Sequence, residues 1–171
     1  MAASRHKRLT NTANALSKAL APQLGWLFDS LVRLFMQLPN VHVLPEAVPA
    51  VELQQLFVEA LSASAPTSDK IDVLIELADK QWHTYERISP ELATEISKFI
   101  NATWNPTDLP QTEMLLSIVG HLGLDASMSL FLAKAKDPET ALLIRSEILE
   151  ASREFGDLAL DPYIGMQATR K

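Results

Sequence analysis

The sequence predicts an all-α fold, a short right-handed superhelix of stacked helical hairpins with an N-terminal helical cap. Three observations carry that prediction. Glycine is scarce, with five in 171 residues, and β-branched runs are few. The ten prolines fall almost entirely between segments whose apolar residues recur at helical spacing. The closing third repeats a proline turn and a helix-ending glycine with a period near 33 residues.

In chain order, the first 28 residues carry Arg5, Lys7, Arg8 and Lys18 and no acid, so they read as a solvated tail leading into a helix or as a targeting segment. Helices are predicted over about 9–21 and 22–38, the second opening on Pro22 with Leu24, Leu27, Phe28, Leu31, Leu34, Phe35 and Leu38 on one stripe. "PNVHVLPEAVP", 39–49, is a loop with room for a short extended stretch, because its three prolines bar or limit helix. Pro49 suits the first turn of a helix reaching about residue 62. "SAPTSDKID" supplies Thr67 or Ser68 as a cap for a long helix over about 69–88, whose apolar line is Ile71, Leu74, Ile75, Ala78, Trp82 and Tyr85. Ser89-Pro90 opens a helix to about 103, Asn105-Pro106 breaks the chain, and further helices are predicted over about 109–122, 125–136 and 138–155. A single domain is expected, with residues 1–65 as the cap, 66–157 as the hairpins and 158–171 as a partly ordered tail.

Asn105-Pro106 and Asp137-Pro138 lie 32 residues apart, and Gly123 and Gly156 lie 33 apart. In such a unit Asn or Asp caps, proline presets the first helical turn, and glycine adopts the left-handed conformation that stops the helix. The stretch from Leu122 to Asp157 resembles a HEAT repeat, in the short-helix form found among phycobilisome-lyase proteins. Leu122-Gly123 with Asp125, the Asp137-Pro138 turn, Ile144-Arg145 and Phe155-Gly156-Asp157 carry the resemblance. The preceding unit keeps Asn105-Pro106 and "VGHLG" without the arginine, and residues 67–104 read as an earlier degenerate pair, 69–88 with 90–103. The resemblance implies a HEAT/armadillo-like stack, and a motif of folding chemistry that carries no catalytic residue.

The absence of cysteine excludes a disulfide framework, cysteine-based zinc sites and a thiol nucleophile, and a reducing, cytoplasmic location is expected. The most apolar stretch, Leu20 to Leu38, carries Asp29 and Arg33, so no membrane span is predicted. Residues 29–171 hold 11 basic and 21 acidic side chains, a balance of −10. That field opposes binding to a phosphate backbone and suits a protein partner with a basic surface. No Gly-x-Ser-x-Gly, Walker loop, dinucleotide fingerprint or zinc-protease motif occurs, so neither an enzyme nor a cofactor is expected.

Asp72, Glu76, Asp79, His83 and Glu86 follow one helical stripe at spacings of 4, 3, 4 and 3. The stripe reads as a partner-binding face or as a solvated face; a carboxylate-histidine metal site would want Glu-x-x-His, and the sequence has none. Glu147, Glu150, Glu154 and Asp157 make a second acidic stripe, with Arg145 and Arg153 placed to pair with it. His121 reads as a dipole-complementing residue near a helix C-terminus, Gly120 as a point of close helix packing, and Trp82 and Trp104 as packing anchors. Trp26 and Met36 suggest an exposed apolar edge. The function expected is a non-enzymatic protein-binding module, a small acidic adaptor, assembly factor or immunity-type inhibitor, using Asp72, Glu76, Asp79, His83, Glu86, Glu147, Glu150 and Glu154. The resemblance implies the alternative, a protein that holds a tetrapyrrole in its groove.

Overall fold

Six α-helices follow a short 3-10 turn, Val41–Val43, in the computed structural model, which describes residues 37–156 and 162–163. They are α1 (Ala50–Ser62), α2 (Thr67–Trp82), α3 (Pro90–Thr103), α4 (Leu109–Leu122), α5 (Asp125–Ala135) and α6 (Leu142–Phe155). There is no strand among the described residues, and none of their helices is long and apolar enough to cross a membrane. All six belong to one compact unit that begins at Leu38. The two helices expected before residue 38, with Trp26 and Met36, lie outside the described residues.

Local chemistry sets the helix ends. Ser89 caps α3 as expected, its Oγ accepting from the Leu92 amide at 3.2 Å with Pro90 in the first turn. Asp108 caps α4 through the Gln111 amide at 3.0 Å. Helix α2 begins two residues early: Pro66 occupies the cap position with no side-chain cap, while Ser68 donates to the Asp69 carboxylate instead. The loop before α1 holds the 3-10 turn rather than an extended stretch, because Val41 is buried and its carbonyl accepts from the Leu44 amide at 3.2 Å.

Neither repeat proline opens a helix. At both places the chain forms the same turn: Thr107 and Glu139 donate their amides to Asn105 Oδ1 and Asp137 Oδ1 at 3.0 Å, and Asp108 and Thr140 donate to the carbonyls of Asn105 and Asp137 at 3.1 Å. The helix starts only after this turn, so α6 begins at Leu142 and not at Pro138. Both helices then run 14 residues to a glycine at positive φ, Gly123 at +64° and Gly156 at +48°.

The helices form two rows. In one, α2 packs on α4 and α4 on α6; in the other, α1 packs on α3 and α3 on α5. Contacts of α1 with α2 and of α5 with both α4 and α6 join the rows. The expected close pairing of the long helix with Pro90–Thr103 is replaced by α2 against α1 and α4, since the buried line of α2, Ile71, Leu74, Leu77 and Ala78, meets those two helices. One continuous core results, with Leu53, Phe57, Ile96, Ile100, Leu115, Ile118, Phe131, Ile144 and Ile148 fully out of solvent. Trp104 anchors it as expected: its indole donates to Thr112 Oγ1 at 3.0 Å and its ring meets Phe131 at 5.0 Å.

Gly120 of α4 lies directly against the Phe155 ring of α6. A Cβ built there would lie 2.6 Å from Cζ of Phe155. Alanine favours a helix over glycine by about 1 kcal/mol. Gly120→Ala is nevertheless expected to destabilise the fold by about 1–3 kcal/mol through overpacking in urea unfolding. In a Phe155→Ala background the same change should become neutral or stabilising, and an unchanged penalty there would disprove the contact.

Candidate functional site

Helix α2 ends at Trp82, six residues before its expected end near 88. The cause is Gln81, whose side chain is buried and donates from Nε2 to Thr84 Oγ1 at 3.0 Å and to the Glu86 carbonyl at 2.6 Å. Thr84 Oγ1 donates to the Gln81 carbonyl at 2.8 Å and accepts from the Glu86 amide at 3.1 Å. These bonds fold the chain back at Tyr85, which adopts φ +57°. For a non-glycine residue that conformation costs roughly 1–2 kcal/mol, offset here by the hydrogen bonds around it.

The turn changes the acidic stripe. Glu86 stands beyond Tyr85 and off the helix, so five positions predicted on one helical face are divided between a helix and a loop. Yet the fold-back brings Asp79, His83 and Glu86 to one cleft of about 580 Å³, lined also by Lys80, Thr84 and the segment Glu46–Ala50. Asp79 and His83 are exposed, and the His83 Nδ1 lies 2.8 Å from the Asp79 carbonyl and 4.0 Å from its carboxylate. A hydrogen bond to that carbonyl makes Nδ1 the donor and leaves Nε2 as an acceptor. The one lysine of the cleft, Lys80, is tethered by donating to the Pro45 carbonyl at 3.2 Å. Glu46, Asp79 and Glu86 therefore outnumber it, and the lining carries an excess of acidic side chains.

The other predicted residues are placed elsewhere. Glu76 is half-buried and lies 3.3 Å from His42 Nδ1 of the 3-10 turn. Asp72 lines a smaller cleft of about 250 Å³ with Asp108, Thr67 and Ser68. Glu147, Glu150 and Glu154 are on α6, which packs on α4, and none of them lines the larger cleft. Arg145 does not pair with them: its Nη2 donates to the carbonyls of Asp137 and Thr140 at 3.0 and 3.2 Å, holding the turn before its own helix. Among the described residues no group of three or more His, Asp or Glu is positioned to hold a metal ion.

Beside the cleft stands an aromatic cluster that the sequence reading does not contain. Trp82 packs against His121 with ring centres 5.7 Å apart and against Tyr163 at 5.6 Å, and Tyr85 meets Tyr163 at 6.3 Å. Tyr163 is buried at 1% exposure and donates its hydroxyl to the Gln81 carbonyl at 3.0 Å. The neighbouring Pro162 sits over Gly123, where a Cβ would come within 2.5 Å of its Cδ. The only signal for it in the sequence is that Tyr163 follows Pro162 within a terminus that also holds Leu158, Leu160 and Ile164, and no periodicity marks it. His121 also departs from expectation. Burial lowers its pKa below the ordinary 6.5, with Asp79 acting in the opposite direction and His83 in the same one. Desolvation thus disfavours the charged ring, which opposes a role as a cation complementing the helix dipole.

The sign of the His121 contribution follows. Well above pH 6.5 the ring is neutral in both native and unfolded chains and full stability is present. As pH falls through that value the unfolded chain takes up its proton first, so stability declines until the native ring also titrates. Unfolding midpoints should therefore drop as the pH falls through 6.5, and His121→Gln should flatten that slope. Tyr163→Phe should cost about 0.5–1 kcal/mol, since the Gln81 carbonyl keeps its bonds from Thr84. Tyr163→Ala should cost about 3 kcal/mol or more and change the near-ultraviolet circular dichroism of Trp82.

No protein-family model, curated protein or solved structure matches this chain.

Proposed function

We propose that the protein is a non-enzymatic binding module, an acidic adaptor or inhibitor that holds the basic surface of a partner protein. The cleft between Glu46–Ala50 and the Asp79–Glu86 turn would receive a lysine or arginine of that partner. The observation that carries this reading is the convergence of Glu46, Asp79 and Glu86 on one open cleft whose only lysine is already tethered. The surroundings favour it as well, since residues 37–156 hold 8 basic and 18 acidic side chains, a balance of −10. Complementary charge of this kind raises the association rate and rejects acidic competitors, nucleic acid included. The lining favours binding over chemistry: the Thr84 hydroxyl donates to a backbone carbonyl, and His83 Nδ1 is held by the Asp79 carbonyl with that residue's carboxylate 4.0 Å away.

The architectural part of the proposal is a short HEAT/armadillo-like, right-handed stack in the cytoplasm. Two rows of alternating helices and the identical turns at Asn105 and Asp137 favour it. Stacks of this kind expose successive helices as a preformed surface, so little ordering entropy opposes binding.

Affinity capture from the native source, with partners identified by mass spectrometry, tests the reading. The wild-type chain is expected to retain a basic protein whose binding weakens about tenfold or more between low and physiological salt. Asp79→Lys combined with Glu86→Lys should lose it. Equal capture by the variant, or a chromophore co-purifying in place of a protein, would overturn the proposal.

A further inference from the structure

A second surface lies between α1 and α3, made of residues that take no part in the acidic cleft. Val58 and Leu61 of α1 and Leu92 of α3 line a groove of about 470 Å³, together with Ser62, Ser89, Glu91 and Glu95. Leu92 is buried, Leu61 is half-buried and Val58 is 56% exposed, so the apolar surface rises from the core to the solvent. Val51, two turns before Val58 on the same face of α1, is 80% exposed and extends the strip by roughly 10 Å. Two bare valines two turns apart on one face, with Gln55 exposed on the turn between them, leave an apolar surface beside the groove that a partner can cover.

The charges around the strip select what covers it. Glu52 and Glu59 follow the two valines on α1, and Glu91 and Glu95 stand on the α3 side. Among the described residues two lysines stand near the groove and both are engaged: Lys98 is joined to Glu95 at 2.7 Å, and Lys70 donates to the Leu61 carbonyl at 2.9 Å. A second copy of this face would set carboxylates against carboxylates, and an anionic membrane would be repelled. An apolar strip between two acidic margins fits an element with an apolar stripe and basic flanks.

We propose that the α1/α3 groove docks an amphipathic helix of a partner protein, with aliphatic residues at i, i+3 or i+4 and i+7 entering the groove and lysines or arginines meeting Glu91 and Glu95. Aliphatic anchors supply the affinity by area removed from water, and the margins fix orientation and exclude acidic helices. This surface is independent of the Asp79–Glu86 cleft, so either can fail without the other.

Fluorescence anisotropy with a labelled leucine–lysine amphipathic helical peptide, titrated with the full chain, tests it. Binding in the micromolar range is expected, about tenfold weaker for Val58→Gln and about fivefold weaker for Glu91→Gln with Glu95→Gln. Val58 is largely exposed, so its replacement should leave the fold intact, as circular dichroism would verify. Asp79→Lys with Glu86→Lys should change the affinity less than twofold beyond its overall charge effect, read as the same shift for an apolar-free polylysine peptide. A leucine–glutamate peptide of the same pattern should not bind. The proposal is overturned if the groove variants bind as wild type does, if the acidic peptide binds equally well, or if Val58→Gln abolishes self-association of the chain while peptide binding is absent.

Discussion

Gln81 is buried at the last turn of α2, where its amide takes the bonds that another turn of helix would have made. Its side chain donates into the returning strand of the turn, and its carbonyl accepts from Thr84 and from the Tyr163 hydroxyl. A buried amide costs free energy where its groups go unpaired, and although its Oε1 has no partner among the described residues, its Nε2 finds both of its acceptors only because the chain reverses at Tyr85. The reversal places Glu86 opposite Glu46, brings the Tyr85 ring to Tyr163, and so creates both the acidic cleft and the wall of the aromatic cluster.

The two features meet at Asp79. Its carboxylate lines the cleft on one side and acts electrostatically on the desolvated His121 on the other. Occupation of the cleft by a cation would remove part of the influence that favours protonation of His121, and would thereby reinforce the neutral ring packed on Trp82.

The repeated turns follow a different logic from the one their prolines suggest. Asn105 and Asp137 use their side chains on the amide two residues ahead, and proline serves the turn that this bond defines. Helix initiation is then delegated: Asp108 caps α4 directly, whereas α6 starts without a side-chain cap and Arg145 reaches back to hold the carbonyls of Asp137 and Thr140. A guanidinium with several donors in a fixed fork is suited to that role, and this use removes Arg145 from pairing with Glu147 or Glu150.

The sequence by itself determined the helical class and the positions of most helices, because apolar spacing, the Ser89-Pro90 start and the Gly123 and Gly156 stops act within a few residues of chain. Gly120 was also legible, since a glycine inside an apolar helix has few uses besides close approach. The stripe from Asp72 to Glu86 was legible as charge and not as a site, because its division depends on Gln81 finding partners after the chain has turned. Tertiary structure alone decided that Asp79, His83 and Glu86 share a cleft while Asp72 and Glu76 do not, that Tyr163 is core, and that burial disfavours the charged form of His121. Each of those properties is set by neighbours distant in sequence, through burial and the satisfaction of buried polar groups, and no local pattern records them.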